Sequence, residues 1–406
     1  MEPSDTTLSV ELDRRAIHVF WIFLRLGLTS FGGPVAHLGY FREEFVQQRR
    51  WLSERSYADL VALCQFLPGP ASSQVGLALG LSRAGYRGAL AAWLGFTTPS
   101  AVALILFALG IGLYADGINS GLLTGLKVAA VAVVAQAVWG MARNLCPDRP
   151  RITLMVLSTC LVLFSPTAWG QVAVIVAAGI VGLTFFTPPA LDTDPDRWQV
   201  PMSRRAGIFW LMLFFVLLVA LPLLTTAFSS QALAMVDSFY RAGSLVFGGG
   251  HVVLPLLQAE VVPTGWVGED AFLAGYGAAQ AVPGPLFTFA AFLGAAMNQA
   301  PTGWLGGLIC LLAIFLPSFL LIAGALPFWE QLRRNRRMQA ALMGINAAVV
   351  GLLLAALYDP VWTSAINRAE DFALALVALV ALNFWRLPAW AVVCGCAAAG
   401  WLLALL

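Results

Sequence analysis

The sequence predicts an all-α integral membrane protein made of two inverted repeats with broken, re-entrant helical hairpins. Three observations carry this: a composition unsuited to water, apolar stretches of membrane-spanning length, and a set of motifs that occurs twice. Of the 406 residues, 60% are hydrophobic and 11% charged, with a mean hydropathy of +0.82. Soluble domains carry roughly 45–50% apolar and 25% charged residues. Apolar segments lie at about 17–36, 56–81, 86–113, 118–143, 151–168, 169–187, 206–228, 237–257, 270–298, 303–329, 338–358, 370–386 and 388–406. Most approach the ~20 residues that cross a hydrocarbon core of about 30 Å.

The same composition excludes several functions. Of 23 basic residues Lys127 is the sole lysine, and Leu126 precedes it, so no G-x-x-x-x-G-K-[ST] nucleotide loop can form. There is no H-E-x-x-H motif and no paired Cys/His set, and the six cysteines lack disulfide or zinc spacing. Cys394-x-Cys396 reads as two small packing residues before it reads as a metal pair. No nucleophile, base and orienter can be named together, so neither catalytic residues, metal ligands nor a cofactor is expected. No nucleic-acid partner is expected, and the lipid bilayer is the expected surrounding. Glu2, Asp5, Glu11, Asp13, Arg14 and Arg15 precede the first apolar run, which lacks the basic start and cleavage site of a signal peptide, so this end should be retained.

The repeat is read from four blocks in one order. Phe23-x-Arg25-x-Gly27-x-x-x-Phe31-Gly32-Gly33 returns as Phe239-x-Arg241-x-Gly243-x-x-x-Phe247-Gly248-Gly249, offset by 216 residues. Trp51-x-x-Glu54 and Gln65-x-x-Pro68-Gly69-Pro70 return as Trp266-x-x-Glu269 and Gln280-x-x-Pro283-Gly284-Pro285, offset by 215. Pro99-Ser100 matches Pro317-Ser318 at 218, and Gly125-Leu126-Lys127 matches Gly344-Ile345-Asn346 at 219. The division expected is a first repeat over 1–190, a link with one extra helix over 191–230, and a second repeat over 231–406.

These paired blocks resemble the chromate transporter family in its long, two-repeat form, and the resemblance covers essentially the whole chain. It implies export of chromate, with sulfate as a close analogue, from the cytoplasm of a bacterium or archaeon. The copies differ at Asn346, where the first has Lys127, and at Gly250-His251, where the first has Pro34-Val35. The halves therefore need not do identical work.

Charge sets the topology. Thirteen simple crossings leave an arginine cluster outside in either orientation, against the positive-inside rule. The Phe-Gly-Gly and Pro-Gly-Pro blocks sit mid-segment, where proline removes a donor and glycine frees the backbone, so those four segments can enter and leave on one side. Nine spans then remain. With the N-terminus in the cytoplasm, the arginines at 42–55, 83–87, 143–151, 197–205 and 333–337 all fall inside and only Arg368 outside. Five spans separate the copies, which makes them inverted, a recurrent plan of secondary transporters. Kinked spanning helices are the competing reading of the same glycines and prolines.

An anion would sit where hairpin tips offer free backbone N–H groups and the positive ends of half-helices. That places Gly32, Gly33, Pro68, Gly69, Pro70, Gly248, Gly249, Pro283, Gly284 and Pro285 at the site, with Gln65, Gln280 and Asn346 as neutral donors. Arg25 and Lys127 lie about 12 Å and 13.5 Å into their segments at 1.5 Å per residue. A cation at such depth asks for a counter-charge or an anionic ligand. Arg25, its counterpart Arg241 and above all Lys127 are therefore candidate substrate contacts; for the arginines, bracing of a hairpin is the alternative. Glu54 and Asp59 are the best-placed acids for proton coupling, against a reading as solvated interfacial carboxylates. His37 and His251 flank the Phe-Gly-Gly turns as pH sensors or as hydrogen-bonded turn residues. The expected function is a secondary transporter of a chromate- or sulfate-like anion in the plasma membrane. An importer, or a membrane scaffold, is the alternative. Monomer and homodimer are both open.

Overall fold

The computed structural model describes residues 15–113, 120–165, 167–188 and 202–405. The stretch from Glu2 to Arg14, Asp116 and positions 191–201 of the link lie outside the described residues. Within them the chain is helical throughout, with no strand.

Each motif segment is broken into two short helices. In the first copy α1 (Ala16–Thr29) stops at Ser30 and α2 (Gly33–Arg42) runs back, continuing through a wider π turn to Gln48. The reversal is visible in the side chains: the Phe23 ring lies 5.6 Å from Phe41 and 5.1 Å from Phe45. Next, α3 (Glu54–Phe66), started by the Ser53 hydroxyl accepting from the Ser56 amide, ends at the Pro68-Gly69-Pro70 tip. From there α4 (Ala71–Leu113) returns and folds sharply at Ala84–Gly85, which have non-helical backbone angles, into its long second arm. Of the four segments expected to be hairpins, none forms an uninterrupted spanning helix by itself.

The first copy closes with α5 (Ser120–Leu145), α6 (Arg149–Phe164) and α7 (Ala168–Phe185). The Asp148 carboxylate and the Thr167 hydroxyl cap the starts of α6 and α7, taking up otherwise unpaired first-turn amides. The linking helix is α8 (Arg204–Ala227).

The second copy repeats the order. Its Phe-Gly-Gly hairpin is α9 (Gln231–Leu245) and α10 (Val253–Val261), and its Pro-Gly-Pro hairpin is α11 (Glu269–Ala281) and α12 (Phe289–Ala295). Then come α13 (Gly303–Ala325), a short α14 (Trp329–Arg334), α15 (Arg336–Ala356), a brief α16 (Thr363–Ala365), α17 (Ala369–Asn383) and α18 (Ala389–Leu403).

Six described helices are long and apolar enough to cross a membrane: Ala71–Ile111, Gly121–Leu145, Ala168–Phe185, Arg204–Ala227, Gly303–Phe328 and Arg336–Ala365. The sequence predicts nine spans. The other three correspond to α6, α17 and α18, of 16, 15 and 15 residues. Each is about 23 Å long at 1.5 Å per residue, short of the full core. Their outer faces still carry exposed Leu161, Phe164, Leu376, Val377 and Trp401, as lipid contact requires.

The two copies pack by the same contacts. Gly27 on α1 meets the Phe96 carbonyl, and Gly243 on α9 meets the Ile314 carbonyl; a Cβ built there would fall 2.7 Å and 2.3 Å from those oxygens. Gly125 on α5 meets Cys396 on α18, and Gly344 on α15 meets Ala178 on α7, in the same way. Small residues let these helix backbones approach, which is how helices associate in lipid. The F-x-R-x-G glycine is thus a packing residue in both copies.

Candidate functional site

The four hairpin tips meet at the centre, and they meet crosswise. The amide of Gly69, at the first Pro-Gly-Pro tip, donates to the Val246 carbonyl beside the second Phe-Gly-Gly tip, at 2.7 Å. The amide of Gly284, at the second Pro-Gly-Pro tip, donates to the Ser30 carbonyl beside the first Phe-Gly-Gly tip, at 3.0 Å. Exchanging the repeats turns one bond into the other, the signature of a two-fold relation. The Pro-Ser blocks obey it too: Ser318 lies against Gly69 and Ser100 against Gly284, each on the other copy's tip.

Between the tips lies a cavity of about 610 Å³, within the ~300–1,000 Å³ usual for small-molecule sites. Its wall includes Gly32, Gly33, Gln65, Gly69, Gly248, Gly249, Gln280, Gly284 and Asn346, all named from the sequence, and His251. The four prolines Pro68, Pro70, Pro283 and Pro285 flank the lining glycines in the chain. His251 Nδ1 is 2.9 Å from the Tyr276 hydroxyl. His37 is buried behind the wall, its ring nitrogens facing the Ser30 carbonyl at 3.2 Å and the Ser72 hydroxyl at 3.4 Å.

Two polar residues of the wall were missed in the sequence: Gln136 and Asn144, on α5. With Val133, Ala137, Gly140 and Met141 they form one stripe at three- and four-residue spacing, the pattern of a single helix face. An amide pair on such a stripe was the available signal. The wall thus carries five carboxamides, Gln65, Gln136, Asn144, Gln280 and Asn346, and no Lys, Arg, Asp or Glu among the described residues. The Gln280 Nε2 group is buried, with the Tyr276 hydroxyl beside it.

The cations expected at the anion do not line this cavity. Arg25 is bound to Glu44, which also accepts from Arg49 at 2.7 Å. Arg241 is held by Asp237 at 2.7 Å and Glu260 at 2.8 Å, and lies over the Trp169 ring at 5.0 Å. Each pair ties the two arms of its own hairpin together, the bracing alternative for these arginines. Glu44 and Glu260 stand at the same 216-residue offset as the arginines, so this pairing was readable. Lys127 lacks an acid on its own helix but receives one from α11: its ammonium donates to Asp270 at 2.8 Å. None of the three cations lines the cavity. Glu54 accepts two bonds from Arg42, at 2.7 and 2.8 Å. The Arg42 hydrogen bond and charge hold its carboxyl below the usual carboxylate range. Neither Glu54 nor Asp59 reaches the wall.

Two repeats of broken helices around a central cavity are a build that membrane transport proteins use. The family described as chromate transporter matches residues 17–183 and 233–401. The chain belongs to the chromate transporter family. It is 29% identical over 349 residues to the chromate transport protein of Pseudomonas aeruginosa, covering 84% of this chain and 80% of that one. It is 27% identical over 393 residues to a probable chromate transport protein of Synechococcus elongatus, covering 95% and 94%. The chromate transport protein of Cupriavidus metallidurans is 26% identical over 420 residues, covering 98% and 97%. No solved structure matches the chain.

Proposed function

We propose that this protein exports a tetrahedral oxyanion dianion from the cytoplasm, binding it in the central cavity between the four hairpin tips. Chromate is the leading substrate, after the names of the relatives, and sulfate shares its shape and charge. The observation that carries the reading is the wall: five carboxamides, glycine-rich tips and the starts of α2 and α4, with Arg25, Lys127 and Arg241 paired to acids elsewhere. Amide N–H groups and helix starts attract an anion without holding it as a fixed cation would. Such a site can release what it binds.

Export also suits the energetics. Two negative charges moving outward along an inside-negative potential release about 4.6 kcal/mol per 100 mV. Import would require coupled cations. The protein sits in the plasma membrane with its N-terminus in the cytoplasm, its repeats at 1–190 and 231–406 inverted across the 191–230 link.

The test is chromate and sulfate flux by the purified protein in liposomes, under imposed potentials of either sign. Flux should run toward the positive side; net uptake against the potential would favour import. In the same assay, Gln65→Leu with Gln280→Leu should lower flux at least about tenfold, the cost of a few lost hydrogen bonds, at undiminished membrane abundance. Wild-type flux in that variant would remove the cavity from the reading.

A further inference from the structure

The two repeats share their motifs and the glycine contacts above, but one pair of equivalent seams differs between them. In the second copy, α11 packs along α5 and against α18. Gly277 sits on the Leu126 backbone, where a Cβ would fall 2.5 Å from the carbonyl oxygen, and Ala274 is buried in the same contact. At the far end of the seam Lys127 binds Asp270 at 2.8 Å, and the Ser364 hydroxyl donates to Glu269.

Repeat exchange maps α11 onto α3, α5 onto α15 and α18 onto α7. There the packing is missing: α3 lies along neither α15 nor α7. Ala62, equivalent to Gly277, is exposed, as are Gln65 and Arg55, the equivalent of Asp270. Ile345, equivalent to Leu126, packs on Gly179 of α7 instead. Asn346, equivalent to Lys127, faces the cavity. One seam is shut and its twin is open.

The open seam leads to the cytoplasm. The cavity stripe on α5 runs from Val133 to Leu145, the end that Arg143 assigns to the inside. Lys127 lies six residues beyond Val133, about 9 Å the other way.

We infer that Lys127 and Asp270 are the latch of an outer gate, that the structure is the inward-open state, and that Arg55 and Asn346 meet in its outward-open counterpart; this rests on the transport reading above. Trading conformations between inverted repeats is how one site is offered to both sides in turn. In the traded state α3 closes on α15, Ala62 meets Ile345, and the Arg55 guanidinium donates to the Asn346 side-chain oxygen. The shut seam is held by an ion pair and its twin only by an arginine and an amide, so the empty carrier rests facing inward.

The test uses the full chain with its six native cysteines replaced and one cysteine introduced, Ala274→Cys, probed from outside with a membrane-impermeant maleimide and no substrate. Labelling should be slow. Lys127→Ala or Asp270→Ala should speed it by up to about fivefold, the population shift of a part-exposed ion pair, and the reversed pair Lys127→Asp with Asp270→Lys should slow it again. In inside-out vesicles, a cysteine at Asn346→Cys should label readily, and more slowly in the same single variants. Unchanged labelling in the single variants, or fast labelling in the reversed pair, overturns the latch. Chromate flux by the parent protein is read separately, so a protein that labels as expected but carries no oxyanion would sink the transport reading and leave the gate standing.

Discussion

Replacing Arg241 by methionine should cost about 3–5 kcal/mol, the penalty for removing one partner from a buried ion cluster. Asp237 and Glu260 are only 9% and 11% exposed at their side chains, and Arg241 is the cation between them. Without it two carboxylates face each other in a low-dielectric site, with the Ser238 hydroxyl at 2.9 Å as the remaining neutral donor to Glu260. The expected result is a large drop in thermal midpoint and in yield of detergent-solubilised protein. Arg25→Met, the equivalent change in the first copy, should do much less, because that guanidinium is 56% exposed and Glu44 keeps Arg49. Equal losses in the two variants would show that the copies do not differ in this way.

The second large effect is expected at the crossed tips. Gly284 has φ of 104°, and a Cβ there would fall 2.8 Å from the Ser100 hydroxyl and 3.2 Å from the Phe96 carbonyl. Gly69 has φ of 124° and would meet Gln74 and Ser318, both at 2.6 Å. Alanine at either position forces a backbone that L-residues avoid, at about 1–3 kcal/mol, and pushes the tip off the carbonyl it binds. Gly284→Ala should therefore lose both stability and anion binding, the second measured by isothermal titration with sulfate. Gly110→Ala, with open space around its Cβ position and ordinary helical backbone, should be neutral or mildly stabilising by up to about 1 kcal/mol. Gly284→Ala with wild-type affinity would mean that the tip does not shape the site.

Much of this architecture was legible because its causes are local. Phe-Gly-Gly and Pro-Gly-Pro cannot continue a helix, the duplication supplies a second instance of each break, and arginine placement separates crossings from hairpins. What was not legible depends on contacts between distant parts of the chain. Lys127 meets Asp270 across 143 residues, and no local pattern announces that pair; the sequence shows the cation at depth without its partner. Glu44 and Glu260 are the opposite case, carried by the same offset as Arg25 and Arg241. Gln136 and Asn144 are intermediate, since amides on an apolar helix serve as interhelical glue as readily as cavity wall. The open and shut seams lie beyond any reading of one sequence, because equivalent residues carry no mark of which conformation their copy adopts.

The crossed amide-to-carbonyl bonds at the tips also govern how the molecule comes into being. The Gly69 amide bonds to the Val246 carbonyl of the other copy, so it stays unanswered while only the first half of the protein has been synthesised, and the Ser30 carbonyl then has His37 but not yet Gly284. The first half must wait in the bilayer with its centre unfinished until the second arrives from the opposite side. A chain carrying one copy of the motifs would face the same shortage for good, unless it met another half threaded through the membrane in the reverse sense. For this architecture, the direction of insertion is therefore a condition of assembly as well as of topology.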